Sequence, residues 1–377
     1  MSDIEDHFLF PIEFGIIPPA PEGFRSGFVG IVGRPNVGKS TLMNQLVGQK
    51  IAITSPIAQT TRNRLRGILT TPTAQIIFVD TPGIHKPHHS LGEILVKNAQ
   101  IAIRSVDVLL FVVDGSTEAG GGDRYIADLL KEAEVPVILG INKADQQESG
   151  NRSQELDRRG ARNRGPGAGK KEEEGKEEAT GDSQQATEEK IAYCHDSELR
   201  TQNSTLKILP HPLDQTYRTL AEEHHWSVAK FSALTGEGLE PLLQLLTQHL
   251  EPGPYYYPPD LVTDQPERFI MGELIREQIL LHTREEVPHS VAVTVDRVEE
   301  EPTITRILAT IYVERDSQKG IVIGKKGAML KEIGTAARQQ IQKLVMGNVY
   351  LELFVKVQPK WRQSRTRLAE LGYRVEE

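Results

Sequence analysis

The chain has 377 residues, a formal net charge of −8 at pH 7 and a hydrophobic content of 38%. This length and apolar content are enough for two buried cores. The single cysteine, Cys194, excludes an intramolecular disulfide and fits a reducing compartment. No apolar run approaches the roughly 20 residues of a membrane-spanning helix. The acidic, proline-dotted tail at 1–25 lacks the basic start and apolar core of a signal peptide, so we expect a cytoplasmic protein.

The first chemical motif is GRPNVGKS at 33–40, which follows a β-branched apolar run at 28–32 and precedes apolar residues at helical spacing. A strand, a glycine-rich turn and a helix N-terminus form a phosphate trap, because unpaired N–H groups converge there and the helix dipole favours negative charge. Lys39 can reach the β- and γ-phosphates of a nucleotide, and the Ser40 hydroxyl can ligate Mg²⁺. The nucleoside triphosphate is therefore predicted to contact Gly33, Arg34, Pro35, Asn36, Val37, Gly38, Lys39, Ser40 and Thr41.

A second motif, NKAD at 142–145, indicates which base is bound. It follows the apolar run at 137–141, at the carboxyl end of a predicted parallel strand, where such sheets bind ligands. The Asp145 carboxylate can accept two hydrogen bonds from the N1–H and N2–H₂ edge of guanine, a donor pair that adenine lacks. Asn142 is expected at the purine edge and the Lys143 stem over its face. The motif predicts a preference for GTP.

A third segment, FSALTG at 231–236, follows a strand-like run and is expected to complete the purine pocket. Its contributors are predicted to be Ser232 and Ala233, with the Ala233 N–H directed at guanine O6.

Between these motifs lie the residues expected to act in hydrolysis. DTPG ends a buried-strand pattern, so Asp80 suits a carboxylate that holds Mg²⁺ through water, and the Gly83 N–H can contact the γ-phosphate. A threonine in the preceding polar stretch can coordinate Mg²⁺ only while a γ-phosphate is present, which makes the stretch a switch. Both Thr60 and Thr61 qualify. We favour Thr61 because it lies beside Arg62.

The pattern changes after residue 266 to α-β-β-α-α-β, with strand-like runs at 290–298 and 304–314. A glycine-lysine turn between the two later helices suits an approach to a sugar–phosphate backbone, and this order is similar to a type II KH domain, which binds single-stranded RNA. Positive charge is concentrated here, since residues 315–367 hold twelve Lys or Arg and three acids. The predicted RNA contacts are Gly324, Lys325, Lys326 and Gly327.

The composition of the remaining segments indicates where the domains begin and end. Residues 147–190 contain one large aliphatic side chain and no aromatic residue, so we expect a disordered insert, with a partner-binding site as the alternative. The predicted organisation is a tail at 1–25, a GTPase domain at 26–250 with the insert within 146–205, a stiff Pro/Tyr linker at 251–265 and a KH domain with a basic end at 266–377.

Five motifs in order (GRPNVGKS, QTTR, DTPG, NKAD and SALTG) resemble those of the translation-factor-related GTPases, and closely those of the bacterial Era subfamily. Residues 268–295 and 350–373 are also similar to Era outside the GTPase part. The resemblance implies an α/β P-loop GTPase domain followed by an α+β type II KH domain. It also implies binding to small-subunit ribosomal RNA near its 3′ end during assembly of the small ribosomal subunit.

The resemblance carries expectations for catalysis. Ras-type GTPases place a water-orienting glutamine directly after the DTPG-like glycine, whereas this chain has Ile84 there. We therefore expect slow intrinsic hydrolysis, with the catalytic groups Lys39, Thr61, Gly83 and Asn36. The expected cofactors are Mg²⁺, held by Ser40, Thr61 and Asp80, and a K⁺ ion supported by Asn36. We expect a monomer with peripheral association at the inner face of the cell membrane.

Two other functions remain open from the sequence. One is a GTPase of RNA modification or of large-subunit assembly, which a duplicated GTPase domain or an extra catalytic cysteine would favour, and neither is present. The other is a membrane-associated signalling GTPase whose basic C-terminal region contacts anionic lipid.

Overall fold

The computed structural model describes residues 17–55, 62, 65–83, 90–147 and 211–373. Thr60, Thr61, Ile84, nearly all of the insert and residues 1–16 of the N-terminal tail lie outside the described residues. Contacts divide the chain into one large unit, Met1–Ala144 with Ile208–Glu377, and one small unit, Asp145–Lys207. Of the small unit the structure describes only 145–147, which are helical. The large unit contains two modules, each with its own sheet.

The first module is built on a six-stranded sheet in the order β2-β3-β1-β4-β5-β6. All neighbouring strands are parallel except β2, which runs antiparallel to β3. The strands are β1 Arg25–Val32, β2 Leu65–Thr70, β3 Ala74–Asp80, β4 Val108–Asp114, β5 Val137–Asn142 and β6 Ser227–Lys230. The helices are α1 Lys39–Val47, α2 Ser90–Arg104, α3 Gly121–Leu130, α4 Asp214–His224 and α5 Leu239–His249.

Helices cover both faces of this sheet because successive strand residues point to opposite sides. On β1, Val29 and Ile31 lie in one core cluster with residues of α1 and α5. Val32 lies in a second cluster with residues of α2, α3 and α4. The carboxyl ends of β1, β3 and β5 therefore meet at one edge, which is where the three sequence motifs begin.

The second module has the predicted α-β-β-α-α-β order. Its three-stranded sheet has the order β7-β8-β9, with an antiparallel β7–β8 pair and a parallel β8–β9 pair. Its elements are α6 Glu267–His282, a short α7 Val287–Ser290, β7 Ala292–Glu301, β8 Ile304–Val313, α8 Asp316–Ile323, α9 Ala328–Ile341, β9 Asn348–Val357 and α10 Arg365–Glu370. The helices α6 and α9 pack on the sheet in one hydrophobic core. The expected fold is thus present in both modules.

The segment between the modules is attached to the first sheet. The rings of Tyr255 and Tyr256 lie 4.4 and 5.2 Å from those of Phe24 and Phe28. The buried Gln75 amide accepts hydrogen bonds from the Tyr256 and Tyr257 N–H groups, at 2.8 and 3.0 Å, and donates to the Tyr257 carbonyl at 2.9 Å. The linker is therefore held along its length by the first module.

Across the described ranges, every helix is too short or too polar to cross a lipid bilayer.

Candidate functional site

The turn between β1 and α1 needs glycine at two positions. Gly33 and Gly38 have φ of +153° and +98°, in the region that L side chains rarely adopt. A Cβ at Gly33 would collide with the Val112 carbonyl oxygen, and one at Gly38 with the Asn142 side-chain amide. The loop therefore packs closely against β4 and β5, with the tight backbone geometry that a phosphate-binding loop requires.

Lys39 is the buried cation of this pocket. Its side chain is 7% exposed, and Nζ donates to the carbonyl oxygens of Gly33 at 3.1 Å and Arg34 at 2.9 Å. Burial lowers the pKa of Lys39 to about 8, while the nearby Asp80 carboxylate acts in the opposite direction. A phosphate in the loop would favour the charged amine, because an opposite charge within a few ångströms stabilises it.

Two of the three expected Mg²⁺ ligands meet beside Lys39. Ser40 Oγ donates a hydrogen bond to Asp80 Oδ2 at 2.8 Å, and Asp80 is fully buried at the end of β3. The next side chain, Thr81, donates to the Ile31 carbonyl at 2.8 Å, which fixes β3 against β1 at this point. A hydroxyl and a carboxylate oxygen are the hard ligands that Mg²⁺ prefers, so these residues fit the ion.

Gly83 closes the same pocket. A Cβ at this position would lie 2.8 Å from the Pro35 nitrogen, so glycine allows the DTPG segment to contact the phosphate-binding loop. The pocket is lined by Pro35, Asn36, Gly38, Lys39, Ser40, Thr41, Ile53, Thr54, Ser55 and Gly83. The pocket lining thus includes seven residues predicted for the phosphate end: Pro35, Asn36, Gly38, Lys39, Ser40, Thr41 and Gly83.

Asn142, which is expected at the purine edge, also joins two loops of the site. Its amide Nδ2 donates to the Val37 carbonyl at 2.8 Å, and its Oδ1 accepts the Ala233 N–H at 2.8 Å. The Ala233 N–H was expected to face guanine O6, but it is engaged by Asn142 because a buried amide must be paired. Ser232 is fully buried, and its Oγ accepts the Thr235 N–H at 3.1 Å, so it shapes this loop.

Lys143 and Asp145 follow at the end of β5. Lys143 has φ +65° and its Nζ lies 2.5 Å from Asp114 Oδ2. Burial acts against ionisation of Asp114, yet hydrogen bonds from Lys143 and Ser116 hold the pKa of Asp114 below its usual value. The pair therefore fixes the Lys143 stem. Asp145 stands in the helical turn at 144–147.

Arg34 has a partner that the motifs did not indicate. Its Nε lies 2.7 Å from Asp123 Oδ1, and Asp123 is fully buried in the first turn of α3. Sequence reasoning also missed Ile53, Thr54 and Ser55 as pocket residues. Their residue types carry no motif, and the only available signal is their place directly before the polar stretch.

The glycine-lysine turn of the second module joins α8 to α9. Gly324, Lys326 and Gly327 have φ of +70°, +53° and +80°. A Cβ at Gly324 would lie 2.9 Å from the Met329 nitrogen, so only glycine fits. Lys325 and Lys326 are exposed. The turn thus presents two cations and uncrowded main chain to the solvent.

Part of the basic C-terminal stretch is structural. Arg362 lies 2.5 Å from Glu314 and Arg367 lies 2.5 Å from Glu370. Trp361 is fully buried, and its Nε1 donates to the Ser290 carbonyl at 3.0 Å. Trp361 is therefore a packing residue of the second module.

Two family models match the chain: 50S ribosome-binding GTPase over residues 28–143 and KH domain over residues 286–362. The GTPase Era of Nostoc sp. is 64% identical over 361 residues, covering 96% of this chain and 93% of that protein. The GTPase Era of Rippkaea orientalis is 62% identical, covering 96% of both chains.

Solved structures give the same result. A crystal structure of Era in complex with MgGDPNP and nucleotides 1506–1542 of 16S ribosomal RNA is similar with a TM-score of 0.74 and 34% identity, covering 93% of this chain and 99% of that one. An Aquifex aeolicus Era variant bound to GDP and AlF₄⁻ is similar with a TM-score of 0.73 and 33% identity, with the same coverage of 93% and 99%. The resemblance inferred from the five motifs is confirmed, and with it the fold. The chain belongs to the Era family of GTPases, which are GTP-hydrolysing enzymes.

Proposed function

We propose that this chain is a GTP-hydrolysing switch that binds small-subunit ribosomal RNA near its 3′ end and assists assembly of the small ribosomal subunit. One observation carries the proposal: a phosphate-binding pocket and a KH module lie in one contact unit of the chain. The similar Era was crystallised with MgGDPNP and a 16S ribosomal RNA fragment, which supports the choice of both ligands.

In this proposal, different pocket residues bind the phosphates, the base and Mg²⁺. The N–H groups of the loop and Lys39 hold the phosphates, and Asp145 reads the guanine edge. Ser40 and Asp80 would hold Mg²⁺, and the proposal adds Thr61, outside the described residues, as the third ligand. Bound there, Mg²⁺ neutralises charge on the β- and γ-phosphate oxygens. The proposal assigns the Gly83 N–H to the γ-phosphate, and the position of Gly83 against Pro35 of the loop supports this assignment.

Without a glutamine, another group must orient the attacking water for hydrolysis. An alkyl side chain such as that of Ile84 can neither donate nor accept a proton, so we expect slow turnover. We propose that K⁺ supports catalysis through Asn36, which lines the pocket with φ +65°. Turnover in K⁺ buffer should exceed that in Na⁺ buffer, and an Asn36→Ala variant should lose the difference. Fast turnover that is indifferent to K⁺ would exclude this part of the proposal.

The RNA site is proposed at the turn of Gly324, Lys325, Lys326 and Gly327. The turn is exposed, carries two cations and has the positive φ values that open its main chain to a close partner. Such main-chain contacts would hold a sugar–phosphate backbone while the bases lie along the module.

A binding assay at fixed Mg²⁺ tests both sites. Fluorescent GTP, ATP and a labelled 16S 3′-end RNA fragment are titrated into the wild type, Asp145→Asn and a Lys325→Asp/Lys326→Asp double variant. We expect tight GTP binding, no ATP binding, loss of guanine selectivity in the first variant and loss of RNA binding alone in the second. ATP preferred over GTP would overturn the proposal. RNA binding that ignores both salt and the double variant would remove the RNA site.

A second candidate function is action on the large subunit. It is supported by the family that residues 28–143 match, which is named 50S ribosome-binding GTPase. RNA crosslinking in cell extract with GTP- and GDP-loaded protein separates the two, because the recovered RNA is either small-subunit or large-subunit. The same protein floated with anionic vesicles tests peripheral membrane association, and sedimentation tests the proposed monomer.

A further inference from the structure

A carboxylate of the second module lies next to the nucleotide pocket. Glu277, in the middle of α6, is 1% exposed. Its Oε1 accepts hydrogen bonds from the Thr54 N–H at 2.7 Å and the Thr54 hydroxyl at 3.3 Å, and its Oε2 lies 2.6 Å from Lys50 Nζ. Thr54 lines the pocket together with Ile53 and Ser55. Thr54 therefore contacts this carboxylate and also lines the pocket that contains Lys39.

Arg62, eight residues after Thr54, makes a second contact with the KH module. Arg62 is 2% exposed, and its guanidinium donates to the carbonyl oxygens of Val291 at 2.6 Å, Pro288 at 3.2 Å and His289 at 3.3 Å. The rings of Trp361 and Tyr373 lie 5.9 and 5.8 Å from its central carbon. All five partners belong to the second module.

A buried guanidinium of this kind is costly unless its donors are satisfied. Burial lowers the pKa of Arg62, yet an arginine stays protonated in proteins, so the charge is carried into the interface. A neutral apolar side chain would fill the same volume without that cost. The arrangement therefore gives directional attachment of this point of the chain to the carbonyls around α7.

The two anchors bracket the stretch from Thr54 to Arg62. Ile53, directly before it, is packed in the hydrophobic core of the second module. Arg62, at its other end, is joined by one peptide bond to Thr61, the proposed Mg²⁺ ligand. Residues 56–61 lie outside the described residues, whereas Thr54 and Arg62 are described.

A path of packed elements connects Glu277 with the glycine-lysine turn. The helix α9 begins directly after Gly327 and shares a core with α6, where Ile333 and Ala337 lie with Leu274. His282 at the end of α6 also lies 3.6 Å from Glu332 of α9. A displacement of the turn by RNA would thus act on the helix that carries Glu277.

We propose that Glu277 and Arg62 are positioning residues for the GTPase reaction. Through Glu277 the KH module holds the pocket wall at Thr54. Through Arg62 it holds the other end of the stretch from Thr54 to Arg62. The inference rests on the proposed function and names the regulation of that site. The wall residues Ile53 to Ser55 share the pocket with Ser40 and Gly83, at the phosphate end. The KH module therefore sets the preference for GTP over GDP.

The test compares GTP and GDP affinities, kcat and KM for the full-length wild type, Glu277→Ala, Glu277→Gln and Lys50→Gln. Losing a hydrogen bond to a charged group weakens binding by about 10-fold or more. We expect Glu277→Ala to lower the GTP-to-GDP affinity ratio by about that factor, with GDP affinity nearly unchanged. Glu277→Gln keeps an oxygen for the Thr54 N–H and should stay near the wild type. Lys50→Gln, which breaks only the ion pair, should do the same.

Asp264→Asn is the matched control. Asp264 lies 2.6 Å from Arg66 in another ion pair between the first module and the segment leading to the second, away from the pocket. A Glu277→Ala protein with the wild-type affinity ratio, or an equal shift in Asp264→Asn, would overturn the proposal. Glu277→Asp serves if the alanine variant does not fold, with an intermediate loss expected and no loss as the contrary result. Absence of GTP binding by the wild type would instead refute the proposed function.

Arg62→Lys tests the second anchor. A lysine keeps the charge but cannot direct donors at three carbonyls. We expect a lower kcat for GTP with GDP affinity unchanged, because GDP lacks the γ-phosphate. A kcat equal to the wild type in a folded Arg62→Lys protein would limit the role of Arg62 to stability.

Discussion

At the residue scale, Asn142 shows how one buried side chain joins two loops of the site. Its two hydrogen bonds, both 2.8 Å, tie the phosphate-binding loop at Val37 to the loop at Ala233. A side chain of another shape would leave a buried carbonyl and a buried N–H unpaired. The residue predicted at the purine edge is thus also the one that joins the phosphate-binding loop to the loop at Ala233.

Replacing Asn142 by alanine should weaken GTP binding as well as stability. Leaving buried polar partners unsatisfied costs about 1–3 kcal/mol for each group, and the phosphate-binding loop would lose its fixed distance from β5. Denaturant unfolding and GTP titration measure the two effects. Asn44→Ala is the control, because Asn44 is a buried amide that binds Ile51, away from the base end. Equal losses of GTP affinity in the two variants would show that only stability was affected.

The sequence predicted the phosphate-binding residues well because each chemical requirement there is local. Gly33 and Gly38 are needed for backbone geometry, and Lys39 and Ser40 follow at fixed spacing. It did not predict the hydrogen bond from the Ala233 N–H to Asn142, because the two residues are 91 positions apart. No local sequence pattern indicates to which of two acceptors a distant N–H group will donate its hydrogen bond.

At the scale of the element, helix α6 begins with an acid in an unfavourable place. Burial and the nearby Glu300 raise the pKa of Glu267 to about 7, from its ordinary value of 4.5. Between those two pH values the folded chain holds a proton that the unfolded chain has released. Stability therefore falls as the pH rises through this window and the loss is complete above it.

Glu267→Gln should consequently be more stable than the wild type at pH 8 and closely similar at pH 4.5. Thermal unfolding at the two pH values measures the difference. Glu240→Gln provides the comparison, since Glu240 occupies the first turn of α5 but is exposed. There the helix dipole favours the acid, so its removal should bring slight destabilisation. A Glu267→Gln protein without a pH-dependent gain would show that the folded carboxyl is not held protonated.

The linker was predicted to be stiff from its composition alone, and its contacts with the first sheet were not predicted. Its prolines and tyrosines suggested a stiff spacer, whereas Gln75 on β3 and the rings of Phe24 and Phe28 hold it against the first sheet. Removing the amide in Gln75→Ala should release the Tyr256 and Tyr257 N–H groups to solvent. Hydrogen exchange at those two amides should accelerate while exchange within β9 stays unchanged. Unaltered protection would show that ring packing alone holds the segment.

At the scale of the whole molecule, the contact between the modules is what sequence patterns could not supply. Thr54 and Glu277 are 223 positions apart, and Arg62 and Val291 are 229 apart. Each module was predictable from its own motifs and periodicity. Their contact depends on a buried acid in the middle of helix α6 and on an arginine after two threonines, both of which are ordinary in sequence.

Because both modules lie in one contact unit, binding at one site should be linked to binding at the other. Linkage is reciprocal, so RNA that stabilises the arrangement favoured by GTP must tighten GTP binding by the same factor as GTP tightens RNA binding. Couplings of this kind are typically between about 5- and 150-fold. A 16S 3′-end RNA fragment should therefore raise the affinity for a nonhydrolysable GTP analogue within that range and leave GDP affinity nearly constant.

Calorimetry with and without the RNA fragment measures this coupling. The Lys325→Asp/Lys326→Asp protein should bind the GTP analogue alone as the wild type does, because both lysines lie in an exposed turn of the second module, and it should show no response to RNA. Rising salt should reduce RNA affinity and leave the coupling factor at saturating RNA unchanged, since salt weakens the phosphate contacts of the RNA. Equal affinity for the analogue with and without RNA would mean that the two modules bind their ligands independently, and the contacts of Glu277 and Arg62 would then serve stability alone.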